Sequence, residues 1–218
     1  MTDLESLVTQ LKMPDCALLS LKRLSVTETQ KRRAATAAEL AKILKTTEGG
    51  PELYGLTGHE RVMLYRLALN TGFRVSELAS LSPASFYLAA KPPYVYLTAA
   101  SAKNKTEVDQ PLPMPLVAPL KAFLKGLPAD DLIWPGDWRL SAAEMLRTDL
   151  TAAGVDHETR DGKLDFHALR TTFISNLARS GVHPKKAQDL ARHSDINLTM
   201  AFYTKLKRDE LAEGLPCI

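Results

Sequence analysis

His167 and Arg170 stand three residues apart in Asp165-Phe-His-Ala-Leu-Arg170, a stretch that opens like a helix. Residues at that interval share one helix face, so an imidazole and a guanidinium converge near a helix N-terminus. Free backbone N–H groups there add a positive field, and the combination suits an oxyanion such as phosphate. The spacing alone is cheap, and taken alone it reads as a surface or salt-bridge pair. Arg74 and Glu77 repeat the interval and, taken alone, read as a short-range ion pair. His193 follows a helical stretch and reads as an exposed polar residue, whereas Tyr203, in Met-Ala-Phe-Tyr, reads as a buried phenol with a bonded hydroxyl. Lys103 and Lys105 flank Asn104 in a turn, where lysines are usually solvated. No third His, Cys or carboxylate stands at ligand spacing from His167 and His193, and the arginines beside them would repel a cation, so neither a metal nor another cofactor is expected.

The elements that must hold these residues are mostly helices. Thr36-Ala-Ala-Glu39 is a capping box, followed by Leu40, Ile43 and Leu44 at helical spacing and ended by Gly49-Gly-Pro51. Thr57-Gly-His-Glu60 is a second box. Met63, Leu64, Leu67 and Ala68 give its apolar face, with Gly72 at the C-terminal cap and Arg74 in or just after the turn. Residues 76–81 predict a short helix. Tyr94 to Thr98 is β-branched and aromatic and predicts a strand, with a turn at 103–105, a partner strand at 106–112 and a third strand around 85–90. Helices resume near 115–126. Ser141-Ala-Ala-Glu144 is a third capping box for a helix to Ala153, Asp165 caps a helix to Arg179, Pro184 opens one to Ala191, and a last pair follows Asp195. The class is therefore mainly α with a small antiparallel β-sheet, an α+β fold.

The bulk numbers bound the rest. The 218 residues are 45% hydrophobic and 24% charged, enough for one main domain at residues 34–218, with the polar, basic stretch of 1–33 as a lead-in. No apolar run is long enough to span a bilayer, and the acids in MTDLESLVTQ do not suit a signal peptide. Cys16 and Cys217 lie near opposite termini without metal spacing, as in a reduced, cytoplasmic protein. The net charge of +3 is a weak indicator of nucleic acid, but residues 158–208 hold ten Lys/Arg against five Asp/Glu. Lys22, Arg23, Lys31, Arg32 and Arg33 form a second basic group. Such stretches can track phosphates or simply form solvated faces.

Order along the chain decides between these readings. Thr71-Gly-Phe-Arg-Val-Ser-Glu-Leu78 resembles the first arginine motif of the tyrosine recombinases, the phage-integrase-type enzymes. His167-Ala-Leu-Arg170 is similar to their HxxR motif. Ala191-Arg-His-Ser-Asp-Ile196, through Thr199 to Tyr203-Thr204, is similar to the final motif that holds the nucleophile. All three occur in the family's order, and Lys103 lies between the first two, in the strand turn where the family keeps its lysine. The similarity runs from residue 36 to about 208. One such motif would be weak; the ordered set is specific.

The resemblance implies the DNA breaking-rejoining fold, double-stranded DNA as substrate, and a role in DNA recombination or integration by a phage or mobile element. Tyr203 would attack the scissile phosphate and hold it as a 3′-phosphotyrosine. Arg74 and Arg170 would clamp the non-bridging oxygens, with a hydrogen bond from His193. Lys103 would protonate the 5′ oxygen, His167 would act as base or positioning group near Tyr203, and Glu77 would orient the site. Arg192 and Lys105 are candidates for DNA phosphate contacts. A homo-tetramer on DNA, monomeric alone, is implied as well. Two departures stand out. Arg192 occupies a position where the family usually has glycine, which would shift the loop or add a phosphate contact. Residues 1–33 are also too few for the family's N-terminal DNA-clamping domain, and read as a linker or remnant leading from an absent one. Type IB topoisomerases share the fold and attack chemistry, so DNA relaxation without site selection is the nearest alternative, followed by a catalytically weak DNA-binding module on the same fold.

Overall fold

The computed structural model describes residues 31–102 and 105–204, so Lys103, Asn104 and the residues after Thr204 lie outside the described residues. The described residues from Arg32 onward form one compact unit. Its helices are α1 (Ala37–Glu48), α2 (Gly58–Thr71), α3 (Val75–Ala79), α4 (Met114–Leu124), α5 (Ala142–Ala152), α6 (Phe166–Arg179), α7 (Pro184–Ala191) and α8 (Ile196–Tyr203). Strands β1 (Phe86–Tyr87), β2 (Tyr94–Leu97) and β3 (Val108–Pro111) form one antiparallel sheet in that order, and β4 (Glu158–Thr159) pairs with β5 (Gly162–Lys163) in a small hairpin.

Local chemistry sets these boundaries. Thr36 and Thr57 both close reciprocal capping boxes, with Glu39 and Glu60, as their spacing predicts. Asp165 caps α6 by accepting from the Ala168 N–H at 2.9 Å, and Asp195 caps α8 through the Asn197 N–H. Ser141 departs from expectation. It precedes α5 but makes no side-chain cap bond, because the 3₁₀ turn Trp138–Leu140 ends on it and leaves it at φ −113°, ψ 14° instead of the extended conformation a cap needs. Glu144, the expected partner, pairs with Arg147 at 2.6 Å. In the sheet, Val95 and Leu97 of β2 point into the core while Tyr94 and Tyr96 alternate outward, the period-two pattern of a half-buried strand. Tyr94 stacks on Tyr87 of β1, ring centroids 4.6 Å apart.

The core is built on α2, α5 and α6 with Trp134 and Trp138, both fully buried, wedged beside them. It also contains an ion pair. Arg61 of α2 is fully buried and holds Asp149 of α5 in a two-pronged bridge (Nε–Oδ2 2.9 Å, Nη2–Oδ1 3.0 Å). The remaining Arg61 nitrogen, Nη1, donates to the Pro51 and Leu56 carbonyls, and the Tyr65 hydroxyl donates to Asp149 at 2.7 Å. Every charge in this knot is matched, which is the condition for burying it. A smaller cluster of Phe173, Ile174 and Ala191, with Leu177, Leu190 and Phe202 against it, joins α6, α7 and α8. Arg32 and Arg33, grouped by composition with the lead-in, are tied to this unit. Arg32 bridges Asp165 at 2.8 Å, and the Arg33 N–H donates to the Lys163 carbonyl at 3.0 Å.

Candidate active site

The site is organised by the C-terminal end of α2. Gly72 ends that helix in the left-handed conformation (φ 63°), and an added Cβ there would lie 2.5 Å from Cδ1 of Phe173. Glycine is required on both counts. The turn leaves the Thr71 and Gly72 carbonyls, at the negative end of the helix, facing cationic side chains. Arg170 of α6, almost fully buried, donates from Nη1 to the Gly72 carbonyl at 2.5 Å and from Nη2 to the Ala191 carbonyl at the end of α7. It thereby pins the α2 and α7 termini together. Arg74 caps α3: its N–H and Nη1 donate to opposite oxygens of Glu77, at 2.8 and 3.0 Å.

Arg192 and His193 follow α7. Arg192 is in the left-handed region (φ 53°, ψ 45°), which accounts for glycine being usual at such a position. Its side chain turns inward: Nη2 meets Glu77 Oε2 at 3.1 Å, Nη1 donates to Gln110 Oε1 at 2.6 Å, and the guanidinium lies 4.7 Å from the Phe73 ring centroid. The expectation of a phosphate contact at Arg192 is therefore corrected: both terminal nitrogens are committed to protein groups, and Nε is buried without a partner. His193 is held from three directions. Its N–H donates to the Gln188 carbonyl, its own carbonyl accepts from Gln188 Nε2, and its Nδ1 lies 2.9 Å from the hydroxyl of buried Thr199 on α8.

Arg74, Glu77, Arg192 and His193 line one open cleft of about 420 Å³, whose other walls include Thr106 and Glu107 just before β3, Val108 and Asp109 of β3, and Gln188 and Asp189 of α7. His167 is exposed and lines an adjoining depression with Arg74, Ser76 and Arg139, so Arg74 borders both. Lys105 is exposed in the hairpin turn at φ 52°. Tyr203 is half-buried at the end of α8, and its hydroxyl donates to the Val182 carbonyl between α6 and α7. Lys103 lies outside the described residues, and its expected place in the site carries no geometry.

The electrostatics are set by burial and by the clustered guanidinium groups. Desolvation, then the charges of Arg170, Arg74 and Arg192, push the His193 imidazole down to about 4. Desolvation and the Arg32 and Arg170 charges likewise lower His167. Arg170 is pushed down to about 9 by burial and by Arg74 and Arg192, and still carries its charge at neutral pH. Burial would raise the Glu77 carboxyl, but the Arg192 charge, the Arg74 N–H and the Arg74 guanidinium outweigh it and hold the carboxyl below the usual range. Burial also raises the Tyr203 phenol, so it carries its proton at neutral pH. Crowding cations in this way is unfavourable, and the Glu77 carboxylate between Arg74 and Arg192 offsets part of it.

Sequence reasoning missed three contributors, and a fourth, Thr199, was quoted in the final motif without a role. Gln188 and Gln110 orient His193 and Arg192 through bonds that no motif spacing announces, and Thr199 holds His193 Nδ1. Arg139 reaches the site from a 3₁₀ turn, and a signal for it was available only in its charge.

The model of the phage integrase family matches residues 33–210. No curated protein matches the chain in sequence. Among solved structures, the XerA recombinase is similar at 17% identity and a TM-score of 0.63, over 96% of this chain and 70% of that one. The Tn1549 transposon integrase in complex with transposon right end DNA gives 17% and 0.64, over 96% and 74%. The catalytic domain of the bacteriophage HP1 integrase gives 18% and 0.58, over 84% and 93%. The chain belongs to the phage integrase family and has the fold of the tyrosine recombinases, enzymes that cleave and rejoin DNA strands.

Proposed function

We propose that Tyr203 is the nucleophile with which this chain cleaves and rejoins double-stranded DNA as a site-specific recombinase. The observation that carries the reading is the convergence of Arg74 and His193 on one open cleft, with Arg170 anchored by the carbonyls of Gly72 and Ala191, next to the residues that frame it. The Arg74 guanidinium and the His193 imidazole match the non-bridging oxygens of a phosphodiester and stabilise the charge that grows on those oxygens during attack, while Arg170, with Nη1 and Nη2 held by the two carbonyls, braces the helix ends beside them. His193 is neutral at physiological pH. In the tautomer in which Nδ1 accepts from the Thr199 hydroxyl, the ring proton resides on Nε2 and is available to a phosphate oxygen.

The Tyr203 oxygen forms a bond to phosphorus as the bond to the 5′ oxygen breaks. The phenolic proton passes to His167 or solvent, and the 5′ oxygen takes a proton from Lys103. The phosphoester bond energy is retained in the covalent intermediate, so a 5′ hydroxyl can reverse the step without ATP. Before attack the Tyr203 hydroxyl must leave the Val182 carbonyl. Lys105, Arg139 and Arg32 extend the positive surface around the cleft for neighbouring phosphates. We assign this chemistry to residues 34–218, working in the cytoplasm as a tetramer on DNA.

The test is a pool of nicked duplexes of randomised sequence, in which cleavage near the nick releases a short strand and traps the protein. Wild type is expected to give a protein–DNA adduct that survives denaturing electrophoresis, and Tyr203→Phe is expected to give none while still binding the pool. Relaxation of supercoiled plasmid with no sequence enrichment in the trapped pool would turn the reading toward a topoisomerase; an adduct from Tyr203→Phe would remove the nucleophile assignment.

A further inference from the structure

We propose that Arg192 is a positioning residue: it neutralises the buried Glu77 carboxylate so that the Arg74 guanidinium stays open to the scissile phosphate. This inference rests on the cleavage reading above. Glu77 is 1% exposed and lies between two guanidinium groups. Its Oε1 accepts from Arg74 Nη1 at 3.0 Å; its Oε2 accepts from the Arg74 N–H at 2.8 Å and from Arg192 Nη2 at 3.1 Å. A buried carboxylate needs a full countercharge. Arg192 supplies it from the inner side, so Arg74 gives Glu77 one guanidinium nitrogen. Among the described residues, Arg74 Nε and Nη2 make no hydrogen bond, and Arg74 borders the open cleft. Without Arg192 the whole negative charge of Glu77 would fall to Arg74, drawing its guanidinium into a two-pronged bridge and away from the cleft.

The backbone argues that this arrangement is specific. At φ 53° a side chain is disfavoured, so whatever holds Arg192 there must come from its contacts. Those contacts tie together the elements that frame the site. Nη1 reaches Gln110 of β3 and the Thr71 carbonyl at 3.3 Å, and Nη2 reaches the Gly72 carbonyl at 3.3 Å, the same oxygen that accepts from Arg170. The guanidinium also covers the Phe73 ring, a cation–π contact in a nearly buried place. One side chain thus sets Glu77 and shares an acceptor with Arg170.

The variants are Arg192→Gly, Arg192→Lys, Glu77→Gln and the Arg192→Gly/Glu77→Gln double, each scored for adduct formation on the nicked randomised pool and for equilibrium binding to it. Glycine is chosen because it suits the backbone at this position. Arg192→Gly is expected to slow adduct formation roughly 10- to 100-fold with binding changed less than about threefold, the split that marks a loss in the chemical step. Arg192→Lys, which keeps the charge, is expected to recover most of the rate. The double variant is expected to react faster than Arg192→Gly and at the rate of Glu77→Gln, because the uncompensated carboxylate is gone. A merely structural role would lower binding and rate together and would not be relieved by a second substitution. Wild-type rate in Arg192→Gly, or a double variant as slow as Arg192→Gly, would overturn the proposal. Failure of the wild type to form any adduct would instead strike the cleavage reading. In that case urea unfolding decides for Arg192: the midpoint loss of the double variant is expected to be smaller than the sum of the single losses, and additive losses would overturn the pairing.

Discussion

His193 shows how much of the site's behaviour is set by one residue's surroundings. Its imidazole is pushed from 6.5 down to about 4 by desolvation and then by Arg170, Arg74 and Arg192. The folded state therefore binds this proton less readily than the unfolded chain. The sign follows: the neutral ring imposes no penalty above pH 6.5, and stability is withdrawn as the pH falls from 6.5 towards 4. Urea midpoints of wild type and His193→Gln, compared at about pH 7.5 and 4.5, should diverge, with wild type losing more on acidification. Equal losses would mean that His193 is not held neutral. At this scale the residues of the proposed site were legible as candidates, because Arg74, His167, Arg170 and His193 belong to short motifs in a fixed order. The direction of a side chain was not. Arg192 carries the same charge whether it faces DNA or Glu77, and only the packing of Phe73, Gln110 and Glu77 turns it inward. The bond from Tyr203 to a backbone carbonyl was equally out of reach, since every residue supplies such a carbonyl.

Among the elements, the end of α2 matters most. Gly72 places the carbonyl that accepts from both Arg170 and Arg192, and it does so in a conformation and a space that admit no Cβ. Gly72→Ala is expected to lower stability by about 2–4 kcal/mol, combining a left-handed alanine with a clash against Phe173. It should also slow adduct formation beyond what the stability loss explains, because the acceptor for Arg170 moves. Urea unfolding and single-turnover trapping measure the two effects, and an alanine variant as stable and fast as wild type would contradict the role given to this turn. Helix ends were read well wherever the side chain itself makes the cap, as at Thr36, Thr57 and Asp165. Ser141 failed because the preceding 3₁₀ turn dictates its backbone, and that turn depends on Trp138 packing into the core. The β4–β5 hairpin was missed because two-residue strands are too short to show alternation.

For the whole molecule, the α+β class and the three-stranded sheet were legible from periodicity, whereas the long-range tie between Arg61 and Asp149 was not. Those residues are 88 positions apart, and each alone looks like a surface charge. The knot joins α2, which carries the site's turn, to α5 across the core. Arg61→Met would leave the Asp149 carboxylate buried with only the Tyr65 hydroxyl, and is expected to destabilise the protein by about 3–5 kcal/mol in urea unfolding. Arg61→Met/Asp149→Leu should recover most of that loss, because no buried charge is then left unpaired; a double variant weaker than Arg61→Met would contradict this account. With the scaffold fixed in this way, the cleft lies at the α2, α3 and α7 termini, and Tyr203, the proposed nucleophile, stands at the end of α8. The most direct test is to trap the protein on a nicked duplex, digest with nuclease and trypsin, and weigh the peptides. The account predicts a nucleotide bonded through its 3′ phosphate to Tyr203, within the peptide of residues 193–205, and a 5′ hydroxyl on the released strand. A nucleotide on any other residue, or a 5′ phosphate on the released strand, would contradict it.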